Sequence, residues 1–297
     1  MYFRHVTLQQ LRYIVAIADT SSFAQAAAAS GVTQPTLSAM VRKLELELGI
    51  TLFDRSTKPV NVTEFGDLVI ARARQVLAQA ESITQVIAEA QNSLSGPLRL
   101  GILPTIAPYL LPLFLGTFVT TYPELDLVIQ ELKTGEIATR LADGRLDLGI
   151  LATPHEKVQD LQIESLFEEA FYAYAKTPPT KKYVLAEDID PDELWVLEEG
   201  HCFGDQVLDL CALSRSSQTL QYVSGSIDTL KRLVEAQGGI TVLPELALRS
   251  LSKKELHRTR PFAPPMPKRT ISLVMRSDFV RCRVVEVLAK AVKESVK

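Results

Sequence analysis

The sequence predicts an α/β protein with an all-α-type N-terminal module, and three observations predict it. Short amphipathic helical patterns follow one another across turn residues and end in a brief strand pair, between about Leu8 and Val62. A helical pattern of roughly 32 residues comes next, ~48 Å long at 1.5 Å per residue, with an apolar repeat of seven. Beyond SGPLRLG, strand and helix patterns alternate to the C-terminus, which argues a parallel sheet covered by helices.

The 297 residues suit two domains with room for a third small module. A content of 46% hydrophobic and 23% charged residues describes an ordinary globular chain able to build cores. Because the net charge is −3, a nucleic-acid surface has to come from local clustering of Lys and Arg. Arg4, Arg12 and Asp19 interrupt the N-terminus and no small-residue cleavage site follows, so no secretory signal is read. The uncharged stretch Leu100–Pro123 is long enough to span a bilayer, but Gly101, Pro104, Pro108, Pro112 and Gly116 break it. A strand, a loop and a buried helix fit it better, and a cytoplasmic protein with no membrane partner is expected. In that compartment Cys202, Cys211 and Cys282 are not expected to form a structural disulfide. No CxxC occurs, and the histidines do not cluster with cysteine at zinc spacing, so neither metal nor cofactor is expected.

In the first module Leu8, Leu11, Val15 and Ala18 recur at helical spacing. A short alanine-rich helix, Phe23–Ser30, ends at Gly31. Thr33 then caps a third helix with Pro35 in its first turn, where a missing N–H costs nothing. Leu37, Val41, Leu44 and Leu48 give this helix an apolar stripe, and Pro35, Ser38, Ala39, Arg42 and Lys43 fall on the opposite face. A packed face backed by a small, polar and basic one suits insertion into a DNA major groove. ITLFDRSTKPVNVT reads as two strands around a turn at Ser56–Pro59, a wing whose Arg55 and Lys58 are placed to meet phosphate. The plain alternative is a three-helix bundle with no ligand; the order of short helix, Gly turn, capped helix and basic wing favours DNA. Thr33, Gln34, Pro35, Thr36, Ser38, Arg42, Lys43, Arg55 and Lys58 are the candidate DNA residues.

Thr63 caps the long helix, expected to run to about Ser95. Val69, Val76, Ile83 and Ala90 repeat every seven residues, as do Ala73, Ala80, Ile87 and Leu94. That is a sustained coiled-coil seam, so a homodimer is expected. The expected division is 1–63 for the winged helix-turn-helix, 64–95 for the linker helix and 96–297 for a regulatory domain. Its two α/β lobes, 96–165 with 266–297 and 166–265, enclose a cleft where ligands favour the carboxyl ends of strands.

The segment SFAQAAAASGVTQPTLSAMVRKLE, continued by LFDR and VTEFG, resembles the LysR-type transcriptional regulators, and the resemblance covers essentially the whole chain. It implies a winged helix-turn-helix, a dimerising linker helix and a two-lobed regulatory domain like periplasmic binding proteins. Promoter DNA and RNA polymerase are the partners it implies, with dimers that commonly pair into homotetramers. Within the family, GILPTIAPYLLP, LEEGHCFGDQVLDLC and GGITVLPELAL resemble the peroxide-sensing members. That likeness implies Cys202 and Cys211 as a redox-active disulfide pair. It further implies Thr105, Thr134, His201, Asp205 and Arg269 as the surroundings of the peroxide, and a thioredoxin- or glutaredoxin-type reductant. His201 and Arg269 are then the neighbours that favour a thiolate. The chain departs from those members at Gly204, where they usually carry a basic residue; this bears on sensitivity rather than on mechanism.

Were both cysteines on one continuous helix, they would lie roughly 13 Å apart along its axis. A disulfide needs Cα atoms about 4.4–6.8 Å apart, so the segment between them has to bend or unwind. Val207, Leu208 and Leu210 would then exchange one burial for another, turning thiol chemistry into a packing change. Moving a two-state equilibrium from about 1:99 to 99:1 takes about 5.5 kcal/mol, roughly 120 mV on a two-electron couple. Cys282 is expected to be a bystander, and His5, His155 and His257 surface or loop residues.

Two other functions compete. One is a metabolite-responsive LysR-type regulator whose cysteines are incidental. The other is a thiol peroxidase or oxidoreductase, disfavoured by the absence of CxxC and by the presence of a DNA-binding module, so an enzyme is not expected.

Overall fold

The computed structural model describes residues 6–90, 94–153, 161–177, 180–197, 206–207 and 226–297. The chain divides into two compact units, 1–87 with 142–145 and 88–141 with 146–297.

In the first unit, α1 (Leu8–Thr20), α2 (Phe23–Ala29) and α3 (Gln34–Leu48) form a three-helix bundle. They are followed by β1 (Phe53–Asp54), paired antiparallel with β2 (Asn61–Val62), and by α4 (Glu64–Ala90). Thr7 and Gln10 make a capping box on α1, which satisfies two otherwise orphaned backbone groups. Leu37, Val41 and Leu44 are buried as their spacing predicts, against Ile14, Ile17, Ala26, Leu52 and Phe53. The stripe expected on α1 is displaced: Leu8 is 45% exposed, whereas Ile14 and Ile17 are fully buried. Apolar residues run almost all round α1 from Tyr13 to Ala18, so the packing of α2 and α3 against it decides which face is inward.

α4 is stitched to the wing. Thr63 Oγ1 accepts from the Gly66 N–H at 3.0 Å, while its hydroxyl reaches the Thr51 carbonyl at 2.7 Å. A Cβ at Gly66 would run into the Leu52 carbonyl, so only glycine allows this approach. The expected seam is also revised at both ends. Ala73 is buried in the first unit's own core beside Ile70. Leu94 lies outside α4 and packs on the core of the second unit. Between them Val76, Ile83, Val86 and Ile87 are 46–65% exposed.

The second unit is built on a seven-stranded sheet in the order β4-β3-β5-β9-β6-β7, with β8 also paired to β6. The strands are β3 (Gly96–Ile102), β4 (Leu125–Glu131), β5 (Leu148–Thr153), β6 (Gln162–Ala175), β7 (Ile240–Pro244), β8 (Thr259–Pro261) and β9 (Lys268–Met275). Among the described strands, β3 pairs in parallel with β4 and with β5, the three joined by α5 (Ala107–Thr121) and α6 (Thr134–Ala142). The sheet is therefore mixed rather than parallel: β9 runs antiparallel to both β5 and β6. Among the described residues the other α-helices are α7 (Ile227–Gln237), α8 (Glu245–Leu248), α9 (Lys253–Leu256) and α10 (Cys282–Ser295).

Two apolar cores result. One gathers Leu98, Leu100, Ile102, Leu110, Phe114, Ile150, Leu273 and Leu288. The other gathers Phe171, Tyr174, Val184, Leu230, Val234, Val242 and Phe262. β6 serves both, since it pairs with β9 as far as Ala170 and with β7 from Phe171 onward. Leu166 and Leu246 pack in the first core, although the sequence division assigns them to the second lobe. α5, in the apolar stretch that could have spanned a bilayer, is a 15-residue helix that buries one face, Ala107, Leu110, Phe114 and Phe118, and leaves Leu113 and Val119 exposed, so the fully buried helix expected there is corrected to a one-sided one. No described helix is long and apolar enough to cross a membrane.

Candidate functional site

Two places in the molecule collect the candidate residues. The first is the outer face of α3 with the wing. Thr33 caps the helix through the Thr36 N–H, Pro35 sits in its first turn, and Gly49 ends it in a left-handed conformation. With Leu37, Val41 and Leu44 anchored inward, Gln34, Pro35, Thr36, Arg42 and Lys43 stand exposed and Ser38 is half-buried. A groove of about 700 Å³ runs beside them, walled by Ser22, Phe23, Gln34, Ser38, Arg55 and Lys58.

Arg55 does not stand free at the wing tip as expected. Its guanidinium donates to Glu45 Oε2 at 2.8 Å and to Ser38 Oγ at 3.3 Å, and lies 4.7 Å from the Phe23 ring centroid. A cation held by a carboxylate and an aromatic face fixes the position of the wing. Glu45, missed in the sequence, is the pivot of this arrangement. Its second oxygen accepts the backbone N–H groups of Leu52 (2.9 Å) and Phe53 (3.4 Å). Glu45→Ala is expected to destabilise this unit by about 1–3 kcal/mol, because it orphans two backbone donors together with Arg55. Chemical denaturation of the full chain measures this, and an unchanged transition would count against the role of Glu45.

The second place lies at the carboxyl ends of the parallel strands. Thr105 follows β3 and Thr134 follows β4, two neighbours whose ladder closes at Ile102 opposite Glu131. Arg269, on β9, reaches the same end: Nη1 donates to Thr105 Oγ1 and Nη2 to the Thr105 carbonyl, both at 3.3 Å. All three residues are 2% exposed. Thr134 Oγ1 is buried and has no hydrogen-bond partner, and Gln206 Oε1 is in the same condition. Buried oxygens left unsatisfied cost free energy, so they mark a place where a small polar solute is welcome.

Sequence reasoning missed two groups here. Glu169, cross-strand from Arg269, accepts from its Nε at 2.7 Å and from the Leu246 N–H at 3.0 Å. The pair is enclosed, with side-chain exposures of 0% for Arg269 and 2% for Glu169. Arg269 is therefore a charge-compensated hydrogen-bond donor. Tyr109 packs against both cores, and burial pushes its phenol well above the usual range, with Asp228 and Glu169 adding to the rise and Arg269 opposing it. Cys202, Cys211, His201, Asp205 and Gly204 lie outside the described residues. Among the described residues no cluster of His, Cys, Asp and Glu fit to hold a metal occurs.

Comparison with known proteins gives the class. Residues 8–67 match the bacterial regulatory helix-turn-helix protein family of the lysR type, and residues 91–297 match the LysR substrate binding domain. The chain belongs to the LysR family of transcription regulators, which are DNA-binding proteins and not enzymes. It is 33% identical over 290 residues to the Escherichia coli DNA-binding transcriptional dual regulator OxyR, covering 97% of this chain and 95% of that protein. It is 32% identical over 294 residues to the hydrogen peroxide-inducible genes activator of Haemophilus influenzae, with 98% of both chains covered. Among solved structures it is similar to a full-length OxyR variant from Pseudomonas aeruginosa (TM-score 0.81, 36% identity), covering 97% of this chain and 98% of that one. A hydrogen-peroxide-bound OxyR variant from Corynebacterium glutamicum gives a TM-score of 0.63 at 32% identity, covering 99% of this chain and 94% of that one.

Proposed function

We propose that this regulator senses hydrogen peroxide by reversible oxidation of Cys202, followed by disulfide formation with Cys211, and changes transcription of antioxidant genes in response. The Cys202 thiolate attacks one peroxide oxygen, the O–O bond breaks, and the other oxygen leaves as hydroxide, giving a sulfenic acid. The Cys211 sulfur then displaces water to close the disulfide, so peroxide takes up two electrons in all. Thr105, Thr134 and Arg269, joined by His201 and Asp205, surround the peroxide in this reading. The observation that carries it is the enclosed polar cluster at the strand ends, where Thr134 presents a hydroxyl with no partner. Full-length similarity to peroxide-inducible activators supports the same assignment.

The remaining parts follow from this reading. Residues 1–63 read promoter DNA, 64–95 link and dimerise through the exposed stripe of α4, and 96–297 sense. Dimers pair into tetramers that act on RNA polymerase in the cytoplasm, and a thioredoxin- or glutaredoxin-type protein resets the disulfide. The deciding experiment counts free thiols and footprints promoter DNA with reduced and peroxide-treated protein. Disappearance of two thiols with a changed footprint is expected; unchanged thiols at Cys202 and Cys211 would leave a metabolite-responsive regulator with incidental cysteines.

Arg42→Ala and Lys58→Ala are each expected to weaken DNA binding, and to reduce the slope of log affinity against log salt by about 0.9 for each phosphate no longer neutralised. Replacing both Gln34 and Ser38 is expected instead to change base preference. Binding measured over a salt series and against a randomised operator library separates the two effects.

A further inference from the structure

We propose that Glu169 determines the charge specificity of the cleft site: by neutralising Arg269 it reserves the site for a small uncharged solute and closes it to anions. This rests on assigning Thr105, Thr134 and Arg269 to that site. A buried guanidinium beside a threonine hydroxyl is by itself a receptor for a carboxylate or another oxyanion. Here that capacity is already spent inside the protein. Glu169 Oε2 lies 2.7 Å from the guanidinium, and Glu169 is fixed in turn by the Leu246 N–H.

With the pair closed, an arriving anion would leave one uncompensated negative charge away from water, which is costly. A neutral solute carrying both a hydroxyl donor and lone pairs meets no such penalty. It can bond the Thr134 hydroxyl and leave the net charge of the site unchanged. Thr105, Thr134 and Arg269 are each 2% exposed, so a solute that reaches them exchanges water for these groups alone. Burial is the main reason the Tyr109 phenol resists ionisation; Asp228 and Glu169 add to it and Arg269 opposes it.

The test uses the full chain in a Cys202→Ser background, so thiol chemistry plays no part in the readout. Thermal melting is followed as sodium formate is titrated against sodium sulfate at constant ionic strength, the larger, doubly charged sulfate serving as the reference anion. The Cys202→Ser parent is expected to show no formate-specific shift. Glu169→Gln keeps an acceptor for Arg269 and removes the charge; it is expected to gain a saturable formate-dependent rise in melting temperature that the parent lacks. Folding of Glu169→Gln only in the presence of formate gives the same support, and equal responses in parent and variant overturn the proposal. If Glu169→Gln does not fold in either salt, the double variant Glu169→Gln with Thr105→Asp returns a carboxylate to the opposite side of Arg269, where Thr105 Oγ1 now sits 3.3 Å from Nη1. That double variant is expected to fold without formate and to ignore it; failure to fold overturns the proposal. Because Cys202 is absent throughout, a negative result here says nothing against peroxide sensing, and a failure of peroxide sensing leaves this result standing.

Discussion

Replacing Cys202 by serine is expected to abolish the response to peroxide completely, leaving the protein with the promoter footprint of the reduced parent. A serine hydroxyl remains protonated at neutral pH and is a poor nucleophile toward peroxide, so the first bond of the cycle cannot form. Cys211→Ser is expected to differ in kind. It retains the attacking sulfur and accumulates a sulfenic acid, but closes no disulfide. Mass spectrometry after a peroxide pulse distinguishes them: no added oxygen at position 202 in the first variant, one in the second. A footprint that still changes with peroxide in Cys202→Ser would sink the thiol mechanism outright.

The second large effect is expected at Arg269. Arg269→Met leaves the Glu169 carboxylate buried opposite an apolar side chain and removes the donors to Thr105. Breaking a buried pair from one side typically costs about 3–5 kcal/mol, because the surviving charge has no partner and no water. Replacing both members by apolar residues of similar volume removes the charge altogether, so Arg269→Met with Glu169→Leu is expected to recover most of that loss. Urea unfolding of the second unit's transition measures both variants. A double variant no more stable than Arg269→Met would show that the cost lies in packing rather than in the stranded carboxylate.

The DNA-binding unit is legible in the sequence because its signals are local. Thr33, Pro35 and Gly49 mark the ends of α3 within a turn of the residues they serve, and the leucine spacing selects its buried face. Arg55 escapes such a reading because its fate depends on Glu45, ten positions away on another element. In the second unit, Thr105 and Thr134 are legible as residues just past strand patterns, whereas Glu169 is not. Its partner is 100 residues distant, and only the register of β6 on β9 brings the two together. The antiparallel course of β6 and β9 is hidden for a related reason. Alternating strand and helix patterns imply parallel pairing only where each helix returns the chain to the same sheet edge, and these two strands pair across a long excursion through the second core.

The strand Gln162–Ala175, bulged once at Leu166, passes between the two cores with no unpaired residue at the crossing, since Ala170 lies opposite Lys268 and Phe171 opposite Pro244. Proteins that clap shut like a shell do so about loose crossings, where few backbone bonds resist the swing. Here a wide swing would tear ladder bonds on both sides of one chain segment. The inexpensive motion left to this unit is torsion about that strand, as in a bar clamped at both ends.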